Sequence, residues 1–319
     1  MAAGGAWPRR GVLGAALAGL AGCRTTARGG PIATPLPPFA TPPDSPLEAL
    51  GGLEIDDTPL GFGGLSGLHI GDDLALTAIS DTGHWLQARL ALAAGGAPLG
   101  LEEVRHGPLL DGAGLPMSSN YQRDAESLAR LPDGRWLVGF ERWHRIRIYD
   151  GFDLPGAFVD PPPGLELAPR NGGLESLTVL ADGRWFAIAE ALRDAGAPDR
   201  RAAWLRGVGG GWQRTSYRPG PGLDATDACG LPDGGALVLE RSFAWLGGFT
   251  SRMVRVSPAA MAAPVIEGQE VLRFTDPVPR DNFEGVATFR HGGRDCVAVV
   301  SDDNQNVLQR SLLLVLAWR

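Results

Sequence analysis

Short apolar segments alternate with tight turns along most of the chain, and no long amphipathic helix pattern is present. Many of these segments are bounded by Asp-Gly turns, such as those at Asp133-Gly134, Asp182-Gly183 and Asp233-Gly234. Apolar or alternating runs beside an Asp-Gly turn are typical of β-hairpins. The pattern therefore predicts an all-β protein built from hairpins.

One hairpin pattern recurs, with an acid, an Asp-Gly turn, an apolar strand and a second acid in that order. Glu126 and Glu141 flank one turn, and Glu175 and Glu190 flank the next. Weaker copies place Ser66 before Asp81, Asp227 before Glu240, and Glu284 before Asp302. The copies begin about 50 to 60 residues apart, a spacing that suits four-stranded blades. We therefore predict a β-propeller with five or six blades.

A sixth blade would lie between Leu92 and Arg123, or would be closed by the strand near Leu53 to Ile55. The counts of 46 glycines and 26 prolines agree with many tight turns between short strands.

The recurring acids are expected to meet at one end of the propeller. A two-residue hairpin loop pairs each acid with its partner across the ladder, and equivalent ends of the inner strands converge on the central channel. Carboxylate oxygens are ligands for hard divalent cations such as calcium. The predicted metal ligands are Asp81, Glu126, Glu141, Glu175, Glu190, Asp227, Glu240, Glu284 and Asp302.

A structural role for the same acids is the alternative. Carboxylates also accept hydrogen bonds from backbone amides or pair with neighbouring arginines, and such contacts hold blades together without any ion. The sequence leaves both roles open.

The net charge and the amino-acid composition limit the classes of ligand that we expect the protein to bind. The net charge is -7, and basic residues form no run beyond the first ten positions, which argues against nucleic acid as a ligand. All basic side chains except the histidines are arginine, so arginine must bind any anion. Arg142 and Arg241 directly follow a second acid and are candidates for binding an anionic substrate if the chain turns there.

Other motifs give weaker evidence of function. Trp136 and Trp185 occupy equivalent strand positions and are expected to pack between blades. Arg290-His291-Gly292-Gly293-Arg294 is similar to the signature of histidine acid phosphatases, but it falls on a hairpin turn far from the acids. Cys229 and Cys296 either form a disulfide or remain buried thiols.

The N-terminal segment is read as an export signal and a tether. Arg9-Arg10, an apolar run and Leu20-Ala21-Gly22-Cys23 resemble a twin-arginine signal ending in a lipoprotein box, in which Cys23 is lipidated. Residues 24–46 are rich in proline and threonine and are expected to form an unpacked spacer before a folded domain over 47–319. We expect an exported protein of a bacterium, periplasmic or anchored to the membrane through Cys23, and monomeric.

Residues within the repeats resemble a known bacterial family. Asn171-Gly172-Gly173-Leu174-Glu175-Ser176, Asp281-Asn282-Phe283-Glu284-Gly285 and Ser301-Asp302-Asp303-Asn304 look like the phytase-like domain described as "esterase-like activity of phytase". The resemblance covers roughly residues 50 to 319 and implies a β-propeller, export and a relation to calcium-dependent propeller phytases. Asp227 in place of Glu, and Ser66 in the first copy, depart from its pattern.

Two functions are compatible with these observations. One is calcium-dependent hydrolysis of a phosphate or other ester, with catalytic candidates Glu126, Glu175, Glu190, Glu284, Arg142 and Arg241. The other is a non-catalytic propeller of the cell envelope that binds a ligand or a protein at the same channel. Turnover of a small anionic or ester substrate distinguishes them.

Overall fold

The computed structural model describes Met1 and residues 32–245, 247–304 and 309–319. The strands form five sheets of four or five strands, antiparallel except for one short parallel pair, arranged as the blades of a propeller. Cys23, Arg9-Arg10 and residues 24–31 of the proposed tether lie outside the described residues. No helix among the described residues is long and apolar enough to cross a membrane.

Blades 1 to 3 follow one another along the chain. Blade 1 contains β3 (Leu65–Ile70), β4 (Ala75–Ser80), β5 (His84–Leu92) and β6 (Pro98–Pro108). Blade 2 contains β7 (Ala125–Arg130), β8 (Trp136–Phe140), β9 (Arg145–Tyr149) and β10 (Ala157–Val159), preceded by the short helix α1 (Asn120–Arg123). Blade 3 contains β11 (Ser176–Val179), β12 (Trp185–Asp194), β13 (Ala197–Arg206) and β14 (Trp212–Tyr217), with a 3-10 turn (Leu165–Leu167) before it.

Blades 4 and 5 complete the ring. Blade 4 contains β15 (Asp224–Gly230), β16 (Ala236–Ala244), β17 (Gly248–Val256) and β19 (Gln269–Arg273). The helix α2 (Pro258–Met261) and β18 (Val265–Ile266) lie between β17 and β19, and β18 adds to the edge of blade 3. Blade 5 contains β20 (Asn282–His291), β21 (Arg294–Asp302) and β22 (Ser311–Trp318).

The N-terminal strands close blade 5. β2 (Leu47–Ile55) pairs with β22, and β1 (Ala33–Pro35) pairs with β2, so both ends of the described chain share one sheet. The strand near Leu53 to Ile55 was expected to close a sixth blade, but it is part of blade 5. The region between Leu92 and Arg123 holds β6 and α1, so the described residues form five blades.

The start of the folded domain needs a correction. Residues 32–46 were expected in an unpacked spacer, but Ile32, Ala33, Thr41 and Ser45 are buried. The Ser45 hydroxyl donates a hydrogen bond to the Val271 carbonyl at 2.8 Å. Pairing of β1 with β2 supplies backbone partners that the proline content alone does not reveal.

The first strand of each blade is the innermost. β3 contacts both β7 and β20, and β11 contacts both β7 and β15, which closes the inner circle through β15 and β20. Apolar residues of adjacent sheets pack between these strands, with Trp204, Phe140, Phe186 and Phe283 fully buried. Trp136 and Trp185 are also buried in the packing between blades, as predicted.

The inner hairpins of blades 1, 2, 4 and 5 carry a one-residue insertion in the first strand. Ala125 pairs with Phe140 and Ser127 with Gly139, which leaves Glu126 as a β-bulge. The same one-residue insertion leaves Thr226 unpaired in blade 4 and Glu284 unpaired in blade 5. A bulge re-aims a side chain and increases the local twist, so the side chains of Glu126, Thr226 and Glu284 depart from the alternation of their strands.

Candidate functional site

Ten equivalent positions surround the channel mouth, two from each blade. The first lies at or directly before the register shift of the inner strand in blades 1, 2, 4 and 5, and directly before β11 in blade 3, and the second lies on or directly after the next strand. We call these the mouth positions: Ser66, Glu126, Glu175, Thr226 and Glu284, followed by Asp81, Glu141, Glu190, Arg241 and Asp302.

Hairpin geometry brings the acids together by a route that differs from the prediction. The loop has three residues, since the Leu131 N–H bonds to the Arg135 carbonyl at 2.8 Å and Gly134 adopts φ +90°. The Glu141 N–H then bonds to the Asp124 carbonyl at 2.8 Å, so Asp124, not Glu126, lies opposite Glu141. The predicted direct pairing of Glu126 with Glu141 is wrong, but the bulge returns Glu126 to the same cluster.

Two groups of three carboxylates form around Glu141. Oxygens of Asp124, Glu126 and Glu141 lie within 4.8 Å of one another, and so do oxygens of Glu141, Glu175 and Glu190. Amide groups of Gly172 and Gly173 both donate to Oε1 of Glu141, the second at 2.9 Å. These amides fix the one carboxylate that both groups share.

Contacts between blades extend the cluster around the axis. The Ser66 hydroxyl lies 3.0 Å from Oε2 of Glu126 and 3.4 Å from Oε2 of Glu284. Asn282 donates to Oε1 of Glu284 at 2.7 Å and reaches Oδ2 of Asp302 at 3.4 Å. Side chains of blades 1, 2 and 5 thus meet at one place.

Blade 4 contributes an arginine instead of an acid. Arg241 pairs with Glu284 and lies 3.4 Å from Oε1 of Glu190. It is therefore a bridge between the acids of blades 3 and 5. Burial opposes its charge, but the surrounding carboxylates, Glu284 foremost, raise the pKa of Arg241 and keep it charged.

Two predicted ligands face away from the mouth. Glu240 is fully buried, accepts from the Gly220 amide at 2.9 Å and pairs with Arg252 at 2.7 Å. Asp227 accepts a hydrogen bond from the Val286 amide at 2.7 Å and so joins blade 4 to blade 5. Both hold blades together, which is the alternative role considered for the acids.

A shift of one residue explains this error. Thr226 and Arg241 lie as far from Asp233 of the turn as Glu126 and Glu141 lie from Asp133. Because side chains alternate along a strand, the neighbouring residues Asp227 and Glu240 point elsewhere. Counting from the turn, and not from the acids, identifies the correct pair.

Arg142 also has a partner. It follows Glu141 with φ +54°, so the chain turns there as the prediction required. Its Nε lies 2.5 Å from Oδ2 of the buried Asp124. Arg142 therefore neutralises an acid at the edge of the carboxylate cluster.

The cluster remains short of positive charge. Desolvation, followed by repulsion from Glu284 and Asp124, raises the pKa of Glu126 well above its usual value. Desolvation and then Glu190 do the same for the pKa of Glu175. Burial raises the pKa of Glu141 to about 7, although the amides of Gly173 and Gly172 oppose the shift. Carboxyls in such surroundings favour either protons or a cation.

The same effect reaches blades 1 and 5. Burial, with Glu284 as the strongest charged neighbour, raises the pKa of Asp81 to about 7 and that of Asp302 to about 9. Oδ1 of Asp81 is buried with no hydrogen-bond partner among the described residues. Carboxylates therefore repel one another at the mouth positions of blades 1, 2, 3 and 5. Blade 4 contributes the positive charge of Arg241 instead.

The remaining motifs lie elsewhere. His291, Gly292 and Gly293 form the tip of the β20–β21 hairpin, as predicted. The wider acid spacing in blade 5 comes from longer paired strands, since pairing runs from Gly285 with Val300 to His291 with Arg294, whereas the bulge is shared with blade 2. Cys229 and Cys296 are both buried free thiols.

Sequence reasoning missed Asp124, Thr226 and Asn282. Each lies at or beside a bulge, where a strand pattern gives no signal. A count from the Asp-Gly turns would have found Thr226, and the acid at Asp124 belongs to the group around Glu126.

Comparisons with known structures return other proteins at low identity. A luciferin-regenerating enzyme matches with 12% identity over 90% of this chain and 95% of its own, at a TM-score of 0.48. A gluconolactonase of Xanthomonas campestris matches with 11% identity over 92% and 100% of the two chains, at a TM-score of 0.47. Virginiamycin B lyase from Staphylococcus aureus matches with 9% identity over 84% and 77%, at a TM-score of 0.40.

No curated protein matches the sequence significantly. A family model does match, and its residues 60–305 span the five inner hairpins and every mouth position. The match covers most of the chain and agrees with the repeated acids and the propeller fold. The chain therefore belongs to the phytase-like family described as "esterase-like activity of phytase".

Proposed function

We propose that the channel mouth binds divalent cations, with calcium as the natural ion, and that the loaded mouth hydrolyses a phosphate or other ester. The observation that carries this proposal is the position of Glu141 in two groups of carboxylates whose oxygens lie within 4.8 Å of one another. Calcium takes ligand oxygens at about 2.3–2.6 Å, so oxygens on opposite sides of the ion are about 5 Å apart. The spacing therefore suits an ion shared among each group.

The donor set favours calcium over transition metals. Every candidate ligand atom is a carboxylate, amide or hydroxyl oxygen, and no histidine or cysteine belongs to either group. Hard, all-oxygen sites select calcium, magnesium or manganese, and the flexible geometry of several glutamates suits calcium best. Glu126, Glu141, Glu175 and Glu190 would hold the ion, with Asp124 beside them.

Electrostatics support the same proposal. Raised pKa values of Glu126, Glu175 and Glu190 all have desolvation as their largest cause. A bound cation replaces the lost hydration and removes the repulsion between neighbours. Arg241 already does this for Glu284 and Glu190, and it leaves the side near Glu141 uncompensated.

A cation in this place would supply the chemistry of an esterase. It would polarise the ester group and lower the pKa of a bound water. Glu126, Glu175, Glu190 and Glu284 would orient it, and Arg241 would hold two of them in position. The family description agrees with ester hydrolysis and leaves the substrate open.

A non-catalytic binding propeller is the second candidate. It is favoured by the contacts of the two predicted anion binders, since Arg142 is held by Asp124 and Arg241 by Glu284. The first proposal requires the cation, and not these arginines, to act on the ester.

Export completes the proposal. The sequence from Leu20 to Cys23 supports export of the protein and lipidation of Cys23. Calcium sites of extracellular modules commonly bind weakly, with dissociation constants near 10⁻⁴–10⁻³ M. Intact mass of the native protein should reveal a diacylated N-terminal Cys23. An unmodified chain cut elsewhere would refute the anchor without affecting the cation site.

The test compares Glu175→Gln with Asp182→Asn. Both acids belong to the inner hairpin of blade 3, but Asp182 lies in the exposed turn, at the opposite end from the mouth. Calorimetric titration should give a calcium affinity about 10- to 100-fold weaker for Glu175→Gln and unchanged for Asp182→Asn. Equal affinities in both variants would refute the site.

Activity is measured on the same proteins. Generic phosphate-ester and carboxyl-ester substrates should be turned over by the calcium-loaded protein, and turnover should fall with Glu175→Gln. Calcium binding without turnover of any ester would favour the binding propeller.

A further inference from the structure

A second cavity opens beside the mouth, between blades 1 and 2. Its volume is about 390 Å³. Polar groups dominate its walls, and they come from the loop before β3, the β4–β5 turn and the end of α1. The lining residues are Asp57, Thr58, Gly61, Phe62, Gly63, Thr82, His84 and Arg123.

The guanidinium of Arg123 differs from those of Arg142 and Arg241. Those two are ion-paired with acids, whereas no described carboxylate forms an ion pair with Arg123. Its charge still acts at a distance, since it lowers the pKa of both Asp81 and Asp124 against the larger effect of burial. Arg123 therefore offers unused donors close to the acidic mouth.

The β4–β5 turn packs closely against Arg123. Gly83 adopts φ +75° in the β4–β5 turn, and a Cβ there would lie 2.5 Å from Cβ of Arg123. Only a glycine allows this approach, so the turn of blade 1 abuts the end of α1. The position of Arg123 is thus built by two blades.

Two aromatic rings and one acid, Asp57, line the cavity together with Arg123. The rings of Phe62 and His84 stack with centroids 4.6 Å apart and an interplanar angle of 8°. Nδ1 of His84 lies 3.1 Å from Oγ1 of Thr82, and desolvation, with Arg123 next, lowers the pKa of His84 and favours the neutral ring. The cavity thus presents aromatic rings and the guanidinium of Arg123 to the same space.

We infer that this cavity is the substrate-recognition subsite of the ester-hydrolysing mouth, in which Arg123 binds a carboxylate or phosphate group of the ester. The inference rests on the proposed function. Arginine presents a planar fork of donors that matches either anion. A neutral ester would gain nothing from Arg123, so the subsite selects anionic substrates.

Binding is tested apart from catalysis. Phenylphosphonate and benzoate are stable anions that match the two candidate groups, and their affinities are measured by calorimetry without calcium. We expect Arg123→Gln to weaken binding of the preferred anion about 10- to 100-fold. Arg123→Lys should recover part of it, because lysine keeps the charge but loses the fork.

The matched control is Arg105→Gln. Arg105 is an exposed arginine on β6 of blade 1 and lies outside this cavity. Its removal should leave anion affinity unchanged. Equal weakening in Arg105→Gln and Arg123→Gln would indicate a general charge effect and would overturn the inference.

Other results of the same measurements also support or overturn the inference. Failure of both anions to bind the wild-type protein would overturn the subsite, even if calcium binds as proposed. Binding that depends on Arg123 without any ester turnover would retain the subsite and refute the hydrolase. A preference for phenylphosphonate identifies a phosphate ester, and a preference for benzoate identifies a carboxylate.

Discussion

The inner hairpins of blades 2 and 4 have the same length and turn but place their acids on opposite sides. In blade 2, Glu126 and Glu141 occupy the mouth positions and lie in one carboxylate group. In blade 4, Thr226 and Arg241 occupy those positions, while Asp227 and Glu240 face the seams between blades. A shift of one residue along the strand therefore decides whether an acid of an inner hairpin is a candidate ligand or a structural anchor.

The acids of the two hairpins also differ in their hydrogen-bond and ion-pair partners. Glu240 has a full set of partners in Tyr217, Gly220 and Arg252. In the groups around Glu141, Arg142 pairs with Asp124 and Arg241 with Glu190, but no described arginine forms an ion pair with Glu126, Glu141 or Glu175.

Removal of Glu240 should cause the largest loss of stability. Glu240→Ala leaves the half-buried guanidinium of Arg252 and the buried hydroxyl of Tyr217 without their partner, and loss of one member of a buried pair costs about 3–5 kcal/mol. Urea unfolding measures the loss. The calcium affinity of the folded fraction should stay that of wild type, and a large drop in affinity would place Glu240 at the ion.

Removal of Arg241 should destabilise the protein in a manner that calcium repairs. Arg241→Gln leaves Glu190 and Glu284 facing each other without a counter-charge, at a cost of about 1–3 kcal/mol in calcium-free buffer. Millimolar calcium should restore most of the melting temperature. For the control Arg252→Gln, calcium should restore nothing beyond its effect on wild type.

Stability without calcium should fall as the pH rises. Folded-state pKa values near 7 for Asp81 and Glu141, and near 9 for Asp302, lie above their unfolded values. Protonated forms are therefore favoured by folding, and this contribution is present below about pH 4 and is lost progressively up to about pH 9. Melting temperatures measured over this range should decline by several degrees, and calcium should flatten the decline. A rise with pH would contradict the assigned burial.

Removal of the Ser66 hydroxyl should have the smallest effect. Ser66→Ala deletes a donor shared by Glu126 and Glu284, and a single hydrogen bond contributes about 1 kcal/mol. Thermal unfolding and calcium titration should both shift slightly. A loss as large as that of Glu240→Ala would mean that blade 1 supports the cluster more than its contacts indicate.

Much of this arrangement could be predicted from the sequence. The Asp-Gly turns and the repeated acids were sufficient for the propeller and for the convergence of Glu126, Glu141, Glu175 and Glu190. These features follow from local turn chemistry and from the period of two along a strand.

The rest depends on features without a local signal. A bulge inserts one residue into the inner strand, so neither the opposition of Asp124 to Glu141 nor the mouth position of Thr226 follows from alternation. The packing of residues 32–46 depends on strand pairing with a distant part of the chain. The role of Arg123 depends on contact between two blades, where Gly83 meets α1.

The most direct test of the account is an anomalous difference map from crystals soaked in a lanthanide, which replaces calcium at oxygen sites. We predict a peak beside the carboxylate of Glu141, between the groups formed with Glu126 and with Glu175, and no peak beside Glu240 or Asp227. A map whose only peaks lie at exposed acids such as Asp133 or Asp182 would contradict the central claim.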